Sequence, residues 1–212
     1  MLCRYREIAC IFARNVHLPK TSNLEFQTDI ENCLKVLHAG GLILYPTDTV
    51  WGIGCDATNP IAVKAVYGLK RRDESKSLIV LMADERDVLK YISAPDLRIF
   101  EFLHTVQKPT TVIYEGPVGL AENLTGSDGT IAIRLVDEPF CKHLIKRFRK
   151  PLVSTSANIS GSPAPAFFGE VGATVREGVD YIVRYRQDDD LPKQPSAVVK
   201  WNKDASVMVL RS

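Results

Sequence analysis

Residues 42–54 read LILYPTDTVWGIG, and residues 70–76 read KRRDESK. The first segment is an apolar run followed by a turn rich in hydroxyls and glycine, and the second is a dense run of charges. A continuous apolar run predicts a strand that is covered on both faces. The residues after the charges, Leu78 to Met82, predict another such strand. Exposed backbone and fixed cations at a sheet edge favour anionic ligands, so these two segments predict an anion site there.

Strand and helix patterns alternate along the rest of the chain. Thr28 and Glu31 have the spacing of a capping box, which predicts that the first helix begins at Thr28. Further helices are predicted from Asn59-Pro60, Asp84, Pro95 and Pro139, and strands over 111–114, 131–135, 151–153 and 181–185. Residues 197–210 predict a closing hairpin. Strands alternating with helices favour an α/β protein (of α+β type) in three layers, and the hairpin makes its sheet mixed.

Length and composition bound the possibilities. The 212 residues suit one domain spanning 1–212, with residues 1–26 expected as an N-terminal strand or arm. A net charge of +2 excludes a histone-like polycation but not a local basic groove. Five cysteines without a C-x-x-C pair argue against a disulfide framework and favour a reducing cytosol, so a cytoplasmic location is expected. No apolar run reaches 18 residues, which predicts no membrane span.

Common cofactor motifs are weak in this chain. No Walker motif occurs, and the four histidines are scattered, so no metal site is predicted. Gly52 to Ala57 do match G-x-G-x-x-A, a dinucleotide-binding pattern. However, the glycines lie several residues beyond the apolar run, and the next acid after a strand, Asp84, comes late. The pattern is therefore a minor alternative.

Three polar features remain open between a structural and a functional interpretation. The cations of 70–76 suit a solvated helix end, where they offset the helix dipole, or an anion site. Residues 154–158, Ser-Thr-Ser-Ala-Asn, suit a capped turn or a set of donors for ribose and phosphate oxygens. Thr130 and Arg134 are four residues apart on a strand and share a face. Because an inward arginine is costly without an anion, Arg134 predicts either a salt bridge or a ligand.

Taken in order, these motifs resemble the YrdC-like threonylcarbamoyl-AMP synthase family. The matching segments are YPTDTVWGIGCDA at 45–57, Lys70-x-Arg72 with Lys76, and STSANISG at 154–161. The resemblance runs from about Thr28 to Arg211. It implies a twisted, open, mixed sheet with flanking helices and a positively charged concave face. It also implies an enzyme, a nucleotidyltransferase that makes threonylcarbamoyl-AMP and pyrophosphate from L-threonine, bicarbonate and ATP.

The resemblance also implies roles for particular residues and partners. Lys70 and Arg72 would be catalytic. The ATP site would comprise Lys70, Arg72, Lys76, Thr130, Ser156, Asn158 and Arg211. The threonine site would comprise Thr49, Arg134, Ser154 and Ser196. Mg²⁺ is expected with ATP, and a downstream threonylcarbamoyl-transferase complex would use the product to modify tRNA.

The sequence departs from the family pattern at several places. Asp73 replaces a proline after Lys-x-Arg, residues 106–111 alter one wall of the expected site, and Leu81 stands where some members carry a histidine. A rival hypothesis from another class is an RNA-binding module that grips tRNA or double-stranded RNA through the same basic concavity. Salt separates the two, because RNA binding weakens steeply as salt rises, whereas the enzyme requires free threonine.

Overall fold

Strands and helices alternate in the computed structural model, which describes residues 25–202 and 204–212. The strands are β1 (Ile43–Tyr45), β2 (Gly52–Gly54), β3 (Ile79–Met82), β4 (Thr110–Glu115), β5 (Thr130–Leu135), β6 (Leu152–Ser156), β7 (Tyr181–Ile182), β8 (Ala197–Trp201) and β9 (Val207–Arg211). The α-helices are α1 (Gln27–His38), α2 (Pro60–Lys70), α3 (Glu85–Tyr91), α4 (Arg98–Thr105), α5 (Pro139–Phe148) and α6 (Ala173–Glu177). Short 3₁₀ turns cover Glu122–Leu124 and Phe168–Glu170. The predicted N-terminal strand or arm lies almost wholly outside the described residues.

All of these strands join one sheet in the order β7–β1–β2–β6–β3–β5–β4–β8–β9. Neighbours run parallel at β7–β1, β3–β5 and β4–β8, and antiparallel at the other five junctions. The mixed sheet with flanking helices is confirmed. The sequence attributed the mixed character of the sheet to the closing hairpin alone. Antiparallel pairs also occur at the centre of the sheet, between β2 and β6, β6 and β3, and β5 and β4.

Helix starts follow the predicted caps in most places. The Asn59 side chain accepts from the N–H groups of Ile61 and Ala62 at the start of α2, and Asp84 accepts from Asp87 at the start of α3. The capping box at Thr28 is wrong, since α1 begins one residue earlier and its first turn has no side-chain cap. Aromatic packing fixes this end instead: the Phe26 ring lies 5.6 Å from that of Phe140 and 5.0 Å from that of Tyr185.

Strand register divides the central sheet into a packed face and an open face. Val80, Ile133 and Val153 are cross-strand neighbours, and all three are buried at 1% exposure or less. The alternate positions of the same strands carry Arg134 and Ser154, which face the opposite way because side chains alternate along a strand. The open face therefore carries the polar side chains.

The glycines of β2 serve packing. A Cβ at Gly54 would lie 2.5 Å from Cε1 of Tyr45 and 2.8 Å from the Val153 carbonyl oxygen. Gly52 and Gly54 belong to a buried strand between β1 and β6, whereas a dinucleotide motif places its glycines at the turn into a helix. The dinucleotide alternative is therefore wrong. Within the described residues, no helix is both long enough and apolar enough to cross a bilayer.

Candidate functional site

A cavity of about 460 Å³ lies over the open face of the sheet. Eight of the eleven predicted site residues line it: Thr49, Arg72, Arg134, Ser154, Ser156, Asn158, Ser196 and Arg211. Three of these are arginines, and among the residues that the structure describes, the lining includes no acidic side chain. This charge agrees with the positively charged face that the family resemblance implies, and it favours an anionic ligand.

Strand register assembles one wall of the cavity. Arg134 on β5 is paired with Thr111 on β4, Thr111 with Val198 on β8, and Val198 with Arg211 on β9. The four residues form one row across the sheet, and all of them line the cavity. Their positions are thus set by backbone hydrogen bonds between strands.

Arg134 forms a buried ion pair. Its Nη2 lies 2.9 Å from Oδ1 of Asp48, and the two side chains are only 4% and 11% exposed. The Arg134 Nε is buried and has no hydrogen-bond partner among the residues that the structure describes. Arg134 was predicted to form either a salt bridge or a ligand contact. The salt bridge exists, and one N–H donor remains available for a ligand. Since an unpaired buried donor is costly, this Nε marks a place for an acceptor from outside the protein.

Thr111, the neighbour of Arg134 in this row, forms a hydrogen bond with a second hydroxyl residue, Ser196. The hydroxyls of Thr111 and Ser196 are 2.8 Å apart, and both residues are buried. Arg211 donates from Nε to the Ser196 carbonyl oxygen at 3.0 Å. Partial burial and the nearby charge of Arg134 lower the pKa of Arg211. Two guanidiniums that share one cavity wall repel each other, and a bound anion would relieve this repulsion.

The turn between β1 and β2 places Thr49 in the cavity. The Thr47 hydroxyl accepts from the Thr49 N–H at 3.0 Å and donates to the Val50 carbonyl oxygen at 2.8 Å. The same turn carries Asp48, which pairs with Arg134. One turn therefore positions both the Thr49 hydroxyl and the partner of Arg134.

Arg72 stands on the loop that follows α2. Its Nε donates to the Lys76 carbonyl oxygen at 3.1 Å, and its Nη2 donates to that of Ser77 at 3.0 Å. A guanidinium has five N–H donors, so three remain for a ligand. Asp73 neither pairs with Arg72 nor loosens the loop, because its Oδ1 accepts from the Ser75 N–H at 2.9 Å and tightens the turn.

Ser156 and Asn158 face Arg72 from the end of β6. The Ser156 hydroxyl donates to Oδ1 of Asn158 at 2.5 Å, and the Asn158 amide donates to the Ser162 carbonyl oxygen at 2.6 Å. The sequence predicted Ser154 to Ser156 as a loop after a short strand, but β6 continues through Ser156. Ser154 and Ser156 therefore share the open face of the sheet.

Three predicted residues do not line the cavity. Lys70 is buried behind it, and its ammonium contacts the backbone of Ser156 and Asn158. Lys76 is exposed on the loop surface. The Thr130 hydroxyl donates to Oδ1 of Asp128 at 2.7 Å. Their roles in nucleotide binding stay predictions.

Two residues of the site were missed. Asp48 lies within the turn between β1 and β2. Its contact with Arg134 on β5 could not be predicted from the spacing of residues along the chain. Thr111 lies in the segment whose sequence departs from the family pattern, and only the pairing of β4 with β5 places it beside Arg134.

The fold and the cavity define an α/β protein with a positively charged, hydroxyl-rich cavity over one face of its sheet. The family model Sua5_yciO_yrdC, described as "Telomere recombination", matches residues 35–212. The chain therefore belongs to the Sua5–YciO–YrdC family.

Relatives and structures support this assignment. The threonylcarbamoyl-AMP synthase of Pseudoalteromonas translucida (strain TAC 125) is 33% identical over 160 residues, which cover 74% of this chain and 86% of that protein. The enzyme of the same name from Vibrio campbellii (strain ATCC BAA-1116) is 36% identical over 138 residues, covering 64% and 75%. The fold matches the crystal structure of P. abyssi Sua5 complexed with L-threonine, with a TM-score of 0.76, 23% identity and coverage of 87% of this chain. This chain spans 54% of the length of that protein.

Proposed function

We propose that the protein is an L-threonylcarbamoyladenylate synthase. It would convert L-threonine, bicarbonate and ATP into threonylcarbamoyl-AMP and pyrophosphate. The observation that carries this proposal is that all four residues expected around threonine and four of the seven expected around ATP line one cavity. The names of the curated relatives support the same activity.

The half of the cavity around Arg134 suits an amino acid. The free Nε of Arg134 would donate to the threonine carboxylate, while Asp48 holds the other side of the guanidinium. The hydroxyls of Thr49, Ser154 and Ser196 are buried next to it and would bind the polar groups of threonine. A charge-assisted hydrogen bond at such a site contributes about 1.5–3 kcal/mol.

The half around Arg72 suits phosphates. In the proposed reaction, the threonine amine attacks the carbon of bicarbonate, water leaves, and a carbamate forms. A carbamate oxygen then attacks the α-phosphorus of ATP, and the bond to pyrophosphate breaks. The carbamate is itself the nucleophile, so the protein needs to align the reactants and neutralise charge rather than supply an activated side chain. Arg72 and Arg211, with the polar side chains of Ser156 and Asn158 beside them, would do this.

Magnesium would enter as part of the nucleotide substrate. The polar side chains of the described lining are hydroxyls, the Asn158 amide and arginines, and the described residues contain no cluster of three metal-binding side chains. Mg²⁺ prefers carboxylate, phosphate and water oxygens. These residues do not fit a resident magnesium ion, and we therefore propose that the triphosphate carries it.

Partners and location follow from the proposed reaction. The product is a reactive mixed anhydride, which a downstream threonylcarbamoyl-transferase complex would consume to modify the adenosine beside the anticodon of tRNA. ATP and tRNA are cytosolic substrates, and the three cysteines of the described chain, Cys33, Cys55 and Cys141, are free thiols. A cytoplasmic location fits both.

The test is direct. The purified protein is incubated with L-threonine, bicarbonate and Mg–ATP, and threonylcarbamoyl-AMP is measured by mass spectrometry alongside pyrophosphate. We expect both products, and we expect neither when threonine or bicarbonate is omitted. Absence of the adenylate together with tight, salt-sensitive binding of tRNA would favour the RNA-binding hypothesis instead.

A further inference from the structure

Lys70, the last residue of α2, is buried to an unusual degree for a lysine. Only 1% of it is exposed, and it does not line the cavity. Its ammonium contacts the carbonyl oxygen of Ser156, and it lies 2.7 Å from the carbonyl oxygen of Asn158 and 3.4 Å from Oδ1 of the same residue. The carbonyl oxygen of Lys70 in turn accepts from the Ser160 N–H at 2.8 Å. The end of α2 is thus tied to residues 156–160 through both its side chain and its backbone.

These contacts use the whole donor capacity of the side chain. An ammonium has three N–H groups, and three protein oxygens surround this one. To bind a phosphate, Lys70 would have to release at least one of them. Burial, together with the charge of Arg72, lowers the pKa of Lys70 to about 8, which shows that keeping a cation here has a cost.

We propose that Lys70 is a positioning residue that holds the Ser156–Asn158 segment against the end of α2, rather than a ligand of the nucleotide. Arg72 follows two residues later on the same segment. The Lys70 contacts therefore fix the distance between the Arg72 loop and the Ser156–Asn158 segment across the cavity. This inference rests on the proposed function for the identity of the ligand, but the contacts themselves exist in the free protein.

The first test uses the free protein. Hydrogen exchange of residues 156–162 is compared between wild type and Lys70→Met, with Lys64→Met as the matched control, since Lys64 is exposed on the same helix. Loss of the ammonium contacts is expected to raise the exchange rate of this segment by about tenfold. Lys64→Met should leave it unchanged. An unchanged rate in Lys70→Met would overturn the positioning role.

The second test separates positioning from direct phosphate contact. Dissociation constants of AMP, ADP and ATP are measured by calorimetry for wild type and Lys70→Met. A displaced Ser156–Asn158 segment should weaken all three nucleotides by a similar factor, about tenfold. A loss that grows with the number of phosphates, with exchange of the free protein unchanged, would show that Lys70 is a phosphate ligand.

Failure of the proposed function has a different signature. If wild type binds none of these nucleotides, the proposed function is wrong, yet the exchange experiment still decides what Lys70 holds. Should Lys70→Met not fold, Lys70→Gln replaces it. Glutamine keeps a neutral donor, so an intermediate exchange rate supports the positioning role, and a wild-type rate contradicts it.

Discussion

The two halves of the cavity hold their arginines in different ways. Arg134 is 3% exposed, belongs to a central strand and pairs with Asp48 from another segment. Arg72 belongs to a loop, and among the described residues it donates only to carbonyl oxygens of its own loop, four and five residues further on. One arginine is fixed by the tertiary structure, and the other by local hydrogen bonds.

This difference separates stability from ligand binding. Removal of Arg134 leaves a buried carboxylate without its partner, which costs far more than the net value of the pair. Removal of Arg72 leaves only exposed carbonyl groups, which water can satisfy. Arg134 should therefore couple folding to function, whereas Arg72 should affect function alone.

The largest effect is expected for Arg134→Ala. Breaking a buried ion pair by removing one partner destabilises proteins by about 3–5 kcal/mol. Urea unfolding measures this loss, and the rate of adenylate formation at saturating ATP should fall by about tenfold to a hundredfold, since a charged contact to threonine is also lost.

A double variant sharpens this prediction. In Arg134→Met with Asp48→Asn, no charge stays buried without a partner, so most of the lost stability should return. Adenylate formation should not return, because the donor to threonine is still missing. Recovery of both would mean that Arg134 acts only through stability.

A smaller effect, confined to the ligand, is expected for Arg72→Ala. Loss of charge-assisted contacts to phosphate should weaken ATP by about tenfold to a hundredfold. The free energy of unfolding should stay within about 0.5 kcal/mol of wild type, as for most surface substitutions. The matched control is Arg147→Ala, which removes an exposed arginine at the end of α5. Equal ATP affinity in Arg72→Ala and the control would remove the phosphate role of Arg72.

The sequence predicted the two halves unequally. An even spacing placed Arg134 on the inner face of its strand, and the charges of 70–76 marked the other loop. The partners Asp48 and Thr111 were not predictable, because their proximity to Arg134 arises from pairing between segments that are distant along the chain. The buried position of Lys70 was also not predictable, since the pattern of a helix end favours an exposed cation.

The fold shows the same division between local and long-range information. Caps at Asn59 and Asp84 gave correct helix starts, because these hydrogen bonds lie within one turn. Strand β2 was missed, since its three residues include two glycines that rank low in strand propensity. The Tyr45 ring and the Val153 carbonyl oxygen, from the two neighbouring strands, explain why glycine is required at position 54.

Substitution of that glycine tests the part of the sheet that carries the cavity. In Gly54→Ala, the new Cβ would meet the Tyr45 ring and the Val153 carbonyl oxygen, both closer than 3 Å. Overpacking of this kind costs about 1–3 kcal/mol, which thermal unfolding measures. The matched control is Gly172→Ala, because position 172 has open space around it and its φ is not positive. If Gly54→Ala were no more destabilising than Gly172→Ala, the packing explanation for Gly54 would be wrong.

The last effect concerns pH and depends on Lys70, which is buried at the end of α2, two residues before Arg72. Folding lowers the pKa of Lys70 from 10.5 to about 8. Below pH 8 the lysine is charged in both the folded and the unfolded state, and the cost of its burial is present in full. Between pH 8 and 10.5 the folded protein has lost this proton while the unfolded chain retains it, so stability rises with pH. Urea unfolding at pH 7.5 and 9.5 should show wild type gaining about 2 kcal/mol relative to Lys70→Met, with no such change relative to Lys64→Met. A gap between wild type and Lys70→Met that stays constant over this range would mean that Lys70 is not held in the buried, desolvated position from which it organises the Ser156–Asn158 segment.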